Sequence, residues 1–107
     1  MLTIPQVVEL YREGLQIRIL RRPHRDGLKG QYDPDGLEAK IFLPAIESPR
    51  DLDLTLLHEV LHARDQIRAA RSPETNQIED EVEREAQIIY QRTPYVLIFL
   101  KWLYHIR

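Results

Sequence analysis

Residues 55–66 read TLLHEVLHARDQ, and within them His58-Glu59-Val60-Leu61-His62 forms an H-E-x-x-H pattern. On a helix, two imidazoles four residues apart project from one face, close enough to grip a single Zn²⁺. The glutamate that follows the first histidine points to the side, where it can take a proton from water held by the metal. At about 100° per residue, His58, His62 and Asp65 share one helix face, with Thr55 and Gln66 beside them. Leu56, Val60, Ala63 and Ile67 fall on the opposite face, and Leu54, Leu57 and Leu61 widen the apolar surface along one flank. A packed back and a polar front holding both histidines set this segment apart from a chance match.

A zinc hydrolase needs three protein ligands and one open position for water. The other two histidines are His24, in a turn-rich segment, and His105, near the end of the chain. Neither stands where an H-E-x-x-H-x-x-G-x-x-H site would need it, because position 65 is Asp and position 68 is Arg. A glutamate from the next helix is the better supply. Residues 78–90 read IEDEVEREAQIIY, in which Ile78, Val82, Ala86 and Ile89 make an apolar stripe. Glu83 flanks that stripe, with Glu79 and Tyr90 on the same side, so Glu79 competes with Glu83 by spacing. Asp80 and Glu81 read as a solvated helix face.

The run His58-Glu59-x-x-His62, twenty intervening residues, then Glu83-x-x-Ala86 resembles the gluzincin metallopeptidases. In that clan two histidines of the active-site helix and a glutamate of a following helix bind zinc. Gly30-Gln31-Tyr32, a turn, Ala39-Lys40-Ile41-Phe42-Leu43 and then Thr55-Leu56-Leu57-His58 are similar to the front half of ImmA/IrrE-type domains and minimal gluzincins. The likeness spans residues 15–90 or so. It implies a zinc-dependent peptidase with His58, His62 and Glu83 as metal ligands, Glu83 being favoured over Glu79, and Glu59 as the general base. Relatives often carry Gly where Leu61 stands, and Asn or Asp where Gln87 stands. Gln87 or Asp65 is then left as the partner that orients a zinc-bound histidine. Because ImmA/IrrE-type domains often sit beside transcription regulators, the alternative is a zinc-binding regulatory or interaction module. A third reading is a metal-free interaction protein. An oxyanion stabiliser is expected but not identified by the sequence; Tyr90, Tyr95, His24 and His105 are candidates that each read first as structural residues.

The elements that must position these groups read as α+β. Thr3, Pro5 and Gly14 mark a short helix over Ile4–Glu13. Leu15, Ile17 and Ile19 alternate with polar residues as a half-buried strand. Pro23 to Gly30 is turn-rich, and Asp33-Pro34-Asp35-Gly36 is a tight-turn signal ahead of a second strand, Leu37–Leu43. These strands form a small antiparallel or mixed sheet, and Leu37–Leu43, if it lies at the sheet edge, could align an extended substrate. Ser48-Pro49 opens a long helix running to about Arg71, and a second begins near Ser72-Pro73 or Asn76 and ends near Arg92. An apolar C-terminal helix follows Pro94.

The 107 residues read as one domain, 1–107. Fifteen Lys and Arg against seventeen Asp and Glu, net −2, argue against a dedicated nucleic-acid binder. The absence of cysteine excludes disulfides, thiolate zinc ligands and thiol catalysis, and fits a cytoplasmic address. Residues 1–10 carry no basic stretch of a secretory signal. The most apolar run, Tyr95 to Tyr104, is about half the length of a membrane span and holds Lys101, so stable membrane insertion is not expected. A helix apolar nearly all round exceeds what so thin a core can cover. It is expected to pair two copies as a homodimer, or else to fold over the zinc cleft of its own chain.

Overall fold

Thr3 begins the first helix as its spacing predicts. Its hydroxyl accepts from the Gln6 amide at 3.3 Å, while the Gln6 side chain accepts from the Thr3 amide at 3.0 Å. This reciprocal cap satisfies two otherwise orphaned donors, and Gly14, at φ 97°, lets the chain turn away. The computed structural model describes residues 1–71 and 79–106. In chain order it contains α1 (Ile4–Arg12), β1 (Gln16–Leu20), β2 (Gly30–Asp33), β3 (Glu38–Phe42), α2 (Pro49–Arg71), α3 (Glu79–Arg92) and α4 (Pro94–Leu103). The architecture is α+β, four helices with one small sheet. The expected start of the second long helix lies outside the described residues.

The sheet is mixed, with strand order β1-β3-β2. β1 runs parallel to β3 and β2 runs antiparallel to it. Leu37–Leu43 is therefore not an edge strand: β3 sits in the centre, and β2 forms the edge next to α2. Residues 21–29 make this possible, because they carry the chain from the end of β1 across the sheet to the far edge. The Asp33 carboxylate then accepts from the amides of Asp35 and Gly36, closing the tight turn that returns β3 between its neighbours. β3 is shorter than expected at both ends. Leu37 has φ 48°, outside strand geometry, and Leu43 opens a 3₁₀ turn.

Alternation along β3 buries Ala39 and Ile41 toward α2 and turns Glu38, Lys40 and Phe42 to the outer face. Helix α2, capped by the Ser48 hydroxyl on the Asp51 amide, contributes Leu56, Leu57, Val60, Leu61 and Ala63 to the core. From α3 come Val82, Ala86 and Ile89. Each fully buried Leu or Ile removes enough apolar surface from water to contribute roughly 2 kcal/mol.

Helix α4 packs on α1 and α3, burying Val96, Leu97 and Leu100, and leaves Tyr95, Ile98 and Trp102 as an exposed stripe. Lys101 ties it to Asp53 of α2 at 2.9 Å, and the Tyr104 hydroxyl donates to the Leu15 carbonyl at 2.7 Å. Among the described residues, no helix is long and apolar enough to cross a membrane.

Candidate metal centre

One turn of α2 separates His58 from His62, and their Nε2 atoms lie 3.1 Å apart. Glu79, in the first turn of α3, reaches both: one carboxylate oxygen is 2.9 Å from His58 Nε2 and the other 2.9 Å from His62 Nε2. The ligand atoms of these three residues all fall within 4.8 Å of one another. Two imidazole nitrogens and a carboxylate match the donor set of a catalytic zinc site. Burial lowers the pKa of His62 against the pull of the Glu79 charge, which favours the neutral ring that a metal ligand requires.

The structure departs here from the expected third ligand. Glu83 does not join the convergent point; its carboxylate meets the opposite nitrogen of His58, Nδ1, at 3.0 Å. Residues four apart on α3 share a face but sit about 6 Å apart along the axis. Glu79 is level with the two Nε2 atoms, and Glu83 is level with the outer edge of the His58 ring. The tautomer that donates Nδ1–H to Glu83 would carry its lone pair on Nε2, facing inward, as a second carboxylate arranges behind a metal-bound histidine. Gln87 contacts Glu83 at 3.5 Å instead of a histidine. Asp65 is not on the polar front either. It is buried, held by the Arg64 guanidinium at 2.8 and 3.0 Å.

Glu59 is 7% exposed. Edge strand β2 covers it through Gly30, where an added Cβ would stand 2.8 Å from Glu59 Oε2 and 2.8 Å from Thr55 Cγ2. Only glycine allows so close an approach. Burial pushes the Glu59 carboxyl up to about 7; the His58 charge opposes the rise and the Glu79 charge adds to it. A cavity of about 330 Å³ opens beside Glu59, lined among others by Lys29, Thr55, His58 and Glu83. At its rim Lys29 pairs with Asp51 at 3.0 Å, an interaction that raises the lysine pKa. Lys29 and Gly30 carry no periodic signal, and their place at the site follows from the path of residues 21–29 alone.

The exposed edge of β2 runs along this cavity. The Phe42 amide donates to the Lys29 carbonyl at 2.8 Å, which makes that pair a hydrogen-bonded one. Bonded and non-bonded pairs alternate in an antiparallel ladder. Gln31 and Asp33 therefore bond inward to β3, and the N–H and C=O groups of Gly30 and Tyr32 point to the open edge. The Tyr32 hydroxyl bonds the Gln66 side chain, whose amide donates to the Pro34 carbonyl at 3.0 Å, fastening β2 along α2.

None of the four candidate oxyanion stabilisers lines the cavity. Tyr90 packs against the core under the Arg50 guanidinium, Tyr95 is exposed on α4, His24 stacks on Phe42, and His105 lies beyond α4. No residue of α4 lines the cavity, so the C-terminal segment does not fold over it. No protein family model matches the chain, and no curated protein or solved structure matches it.

Proposed function

We propose that the chain is a zinc-dependent peptidase of the gluzincin kind, acting in the cytoplasm on peptide or protein substrates. One observation carries this reading: His58 Nε2, His62 Nε2 and the Glu79 carboxylate converge beside the buried carboxylate of Glu59. His58, His62 and Glu79 would hold the metal, with Glu83 orienting His58 through Nδ1. Bound zinc supplies Lewis acidity, lowering the pKa of water at its open position and polarising the scissile carbonyl.

The remaining work belongs to the chain. Glu59 takes a proton from the attacking water at a carboxylate oxygen and returns it to the leaving amine. Gly30 covers one side of that carboxylate, which faces the cavity on the other. The outward N–H and C=O groups of Gly30 and Tyr32 can pair with an extended substrate, a role the central strand β3 has no free edge to perform.

The test is hydrolysis of a mixed peptide library by zinc-loaded wild type and Glu59→Gln. Wild type should cleave, and the variant should lose activity by about 10²–10⁴-fold while keeping its zinc. Equal rates in both, or no cleavage by either, would contradict the reading. A structural zinc site makes no use of a buried base at position 59, so cleavage-free zinc binding indifferent to Glu59→Gln would favour a regulatory module. Self-association through the Tyr95, Ile98 and Trp102 stripe belongs to the same proposal. Light scattering of wild type against Trp102→Ser tests it, and a monomeric mass for both contradicts it.

A further inference from the structure

We propose that the outer face of the sheet carries a second site, which binds a phosphate group between residues 22–25 and the side chains of Gln31 and Lys40. Residues 18–29 hold Arg18, Arg21, Arg22, Arg25 and Lys29, with His24, against a single acid, Asp26, in a chain whose acids outnumber its bases. Such local surplus usually marks a solvated surface. Here the chain folds it back over the sheet. The His24 ring packs edge-on against Phe42 with centroids 5.0 Å apart, and Phe42, although on the outer face, is 4% exposed. The Gly27 amide donates to the His24 carbonyl at 2.9 Å, and Gly27 takes φ 75°, so the segment is a built turn.

Between turn and sheet lies a cavity of about 320 Å³, with Arg22, His24, Arg25, Gln31 and Lys40 around it and Phe42 as its floor. No carboxylate lines it. His24 Nδ1 accepts from the Asp26 amide at 3.0 Å, which places the ring proton on Nε2 and makes His24 a donor toward the cavity. Arg22, Arg25, Lys40 and His24 can therefore only donate, and Gln31 can add its amide. Two acids stand nearby. Asp26 is 3.7 Å from Arg25 in a pair open to solvent, and Glu38, two positions along β3, is 3.5 Å from Lys40 and 3.7 Å from Arg18. Arg22 has no ion-pair partner among the described residues.

A carboxylate would occupy two donors of this set. A dianionic phosphate, with three terminal oxygens, can engage the guanidinium, ammonium and imidazole groups together. The buried Phe42 ring beneath these like charges lowers the dielectric on one side of such an anion. A nucleic-acid strand fits poorly, because the aromatic rings are spent on each other and offer no stacking face. The phosphate can come from a small phosphate monoester or from a phosphorylated side chain of a peptide.

Amide-resolved NMR titration of the full chain with inorganic phosphate, glycerol phosphate, a phosphoserine peptide, acetate and a single-stranded oligonucleotide tests the proposal. Saturable shifts should centre on residues 22–25, 31 and 40, with phosphate binding about tenfold tighter than acetate. Arg22→Ala and Lys40→Met, both outside the metal centre, should each weaken phosphate binding by about fivefold or more without altering the spectrum elsewhere. A phosphoserine peptide much tighter than the small phosphates identifies the peptide source; parity identifies free phosphate monoesters. Absence of saturation, equal affinity for acetate, or binding indifferent to both substitutions would overturn the site. Tighter binding of the oligonucleotide, with shifts spreading onto the helices, would overturn it in favour of a nucleic-acid surface.

Discussion

Arg64 and His62 are two residues apart on α2, and each meets a glutamate of α3, yet their surroundings are built in opposite ways. The Arg64 guanidinium is 3% exposed and is bound by Glu85, at 2.9 Å through one nitrogen and by a further contact through another, and by Asp65. Glu85 also accepts from the Leu2 amide at 2.8 Å, tying the start of the chain to the helix pair. Arg68, 3.7 Å from Asp65, adds a second cation against the two carboxylates, and most of the Arg64 donors are used. At His58, His62 and Glu79 two imidazole nitrogens meet the two oxygens of one carboxylate, whose side chain is 70% exposed. The first cluster is a closed clamp; the second is an open donor set. A buried charge that comes with its counter-charge fixes the packing of two helices. Imidazole nitrogens and a carboxylate brought together near the surface form a set that a cation could share, and the zinc proposal rests on that set.

The contrast can be broken or sharpened by substitution. His62→Ala should lower zinc affinity on the order of a thousandfold, about 4 kcal/mol, with little change in the stability of the metal-free chain. Competition with a chromophoric chelator and thermal melts of metal-free protein check the two halves. Arg64→Met should do the reverse and cost about 3–5 kcal/mol in urea unfolding, because Glu85 and Asp65 are left buried without the guanidinium that faces them. Arg64→Met with Glu85→Leu should recover part of that loss.

Glu83→Gln should weaken zinc binding by about 10–100-fold through His58, less than Glu79→Gln does. The opposite ranking would return Glu83 to the ligand set. Gly30→Ala should cost about 1–3 kcal/mol by forcing a methyl group against Glu59 and Thr55. Partial recovery by Thr55→Ser, read as a melting temperature, would locate the clash.

His58, Glu59 and His62 are legible in the sequence because their relation depends only on helix periodicity. The α+β composition and most element ends are legible for the same local reasons, as at Thr3 and Gly14. The choice between Glu79 and Glu83 is not, since both lie on one face of α3 and the level at which α3 crosses α2 decides between them. The helical wheel places Asp65 on the polar front, whereas pairing with Arg64 draws it into the interior. Arg64 and Glu85 are 21 positions apart and share no pattern that announces their pairing. Strand order is hidden likewise. The sequence marks only two strands, and it is the passage of residues 21–29 across the sheet that adds the short β2 at the edge, leaves β3 in the middle and brings Gly30 and Lys29 beside the site.

The claim on which the rest depends is that these side chains hold zinc. Elemental analysis of the wild-type chain, purified without added metal and dialysed against a weak chelator, tests it most directly. The arrangement of His58, His62 and Glu79 predicts one zinc ion per chain. A chain that keeps no more zinc than His62→Ala prepared in parallel would contradict it.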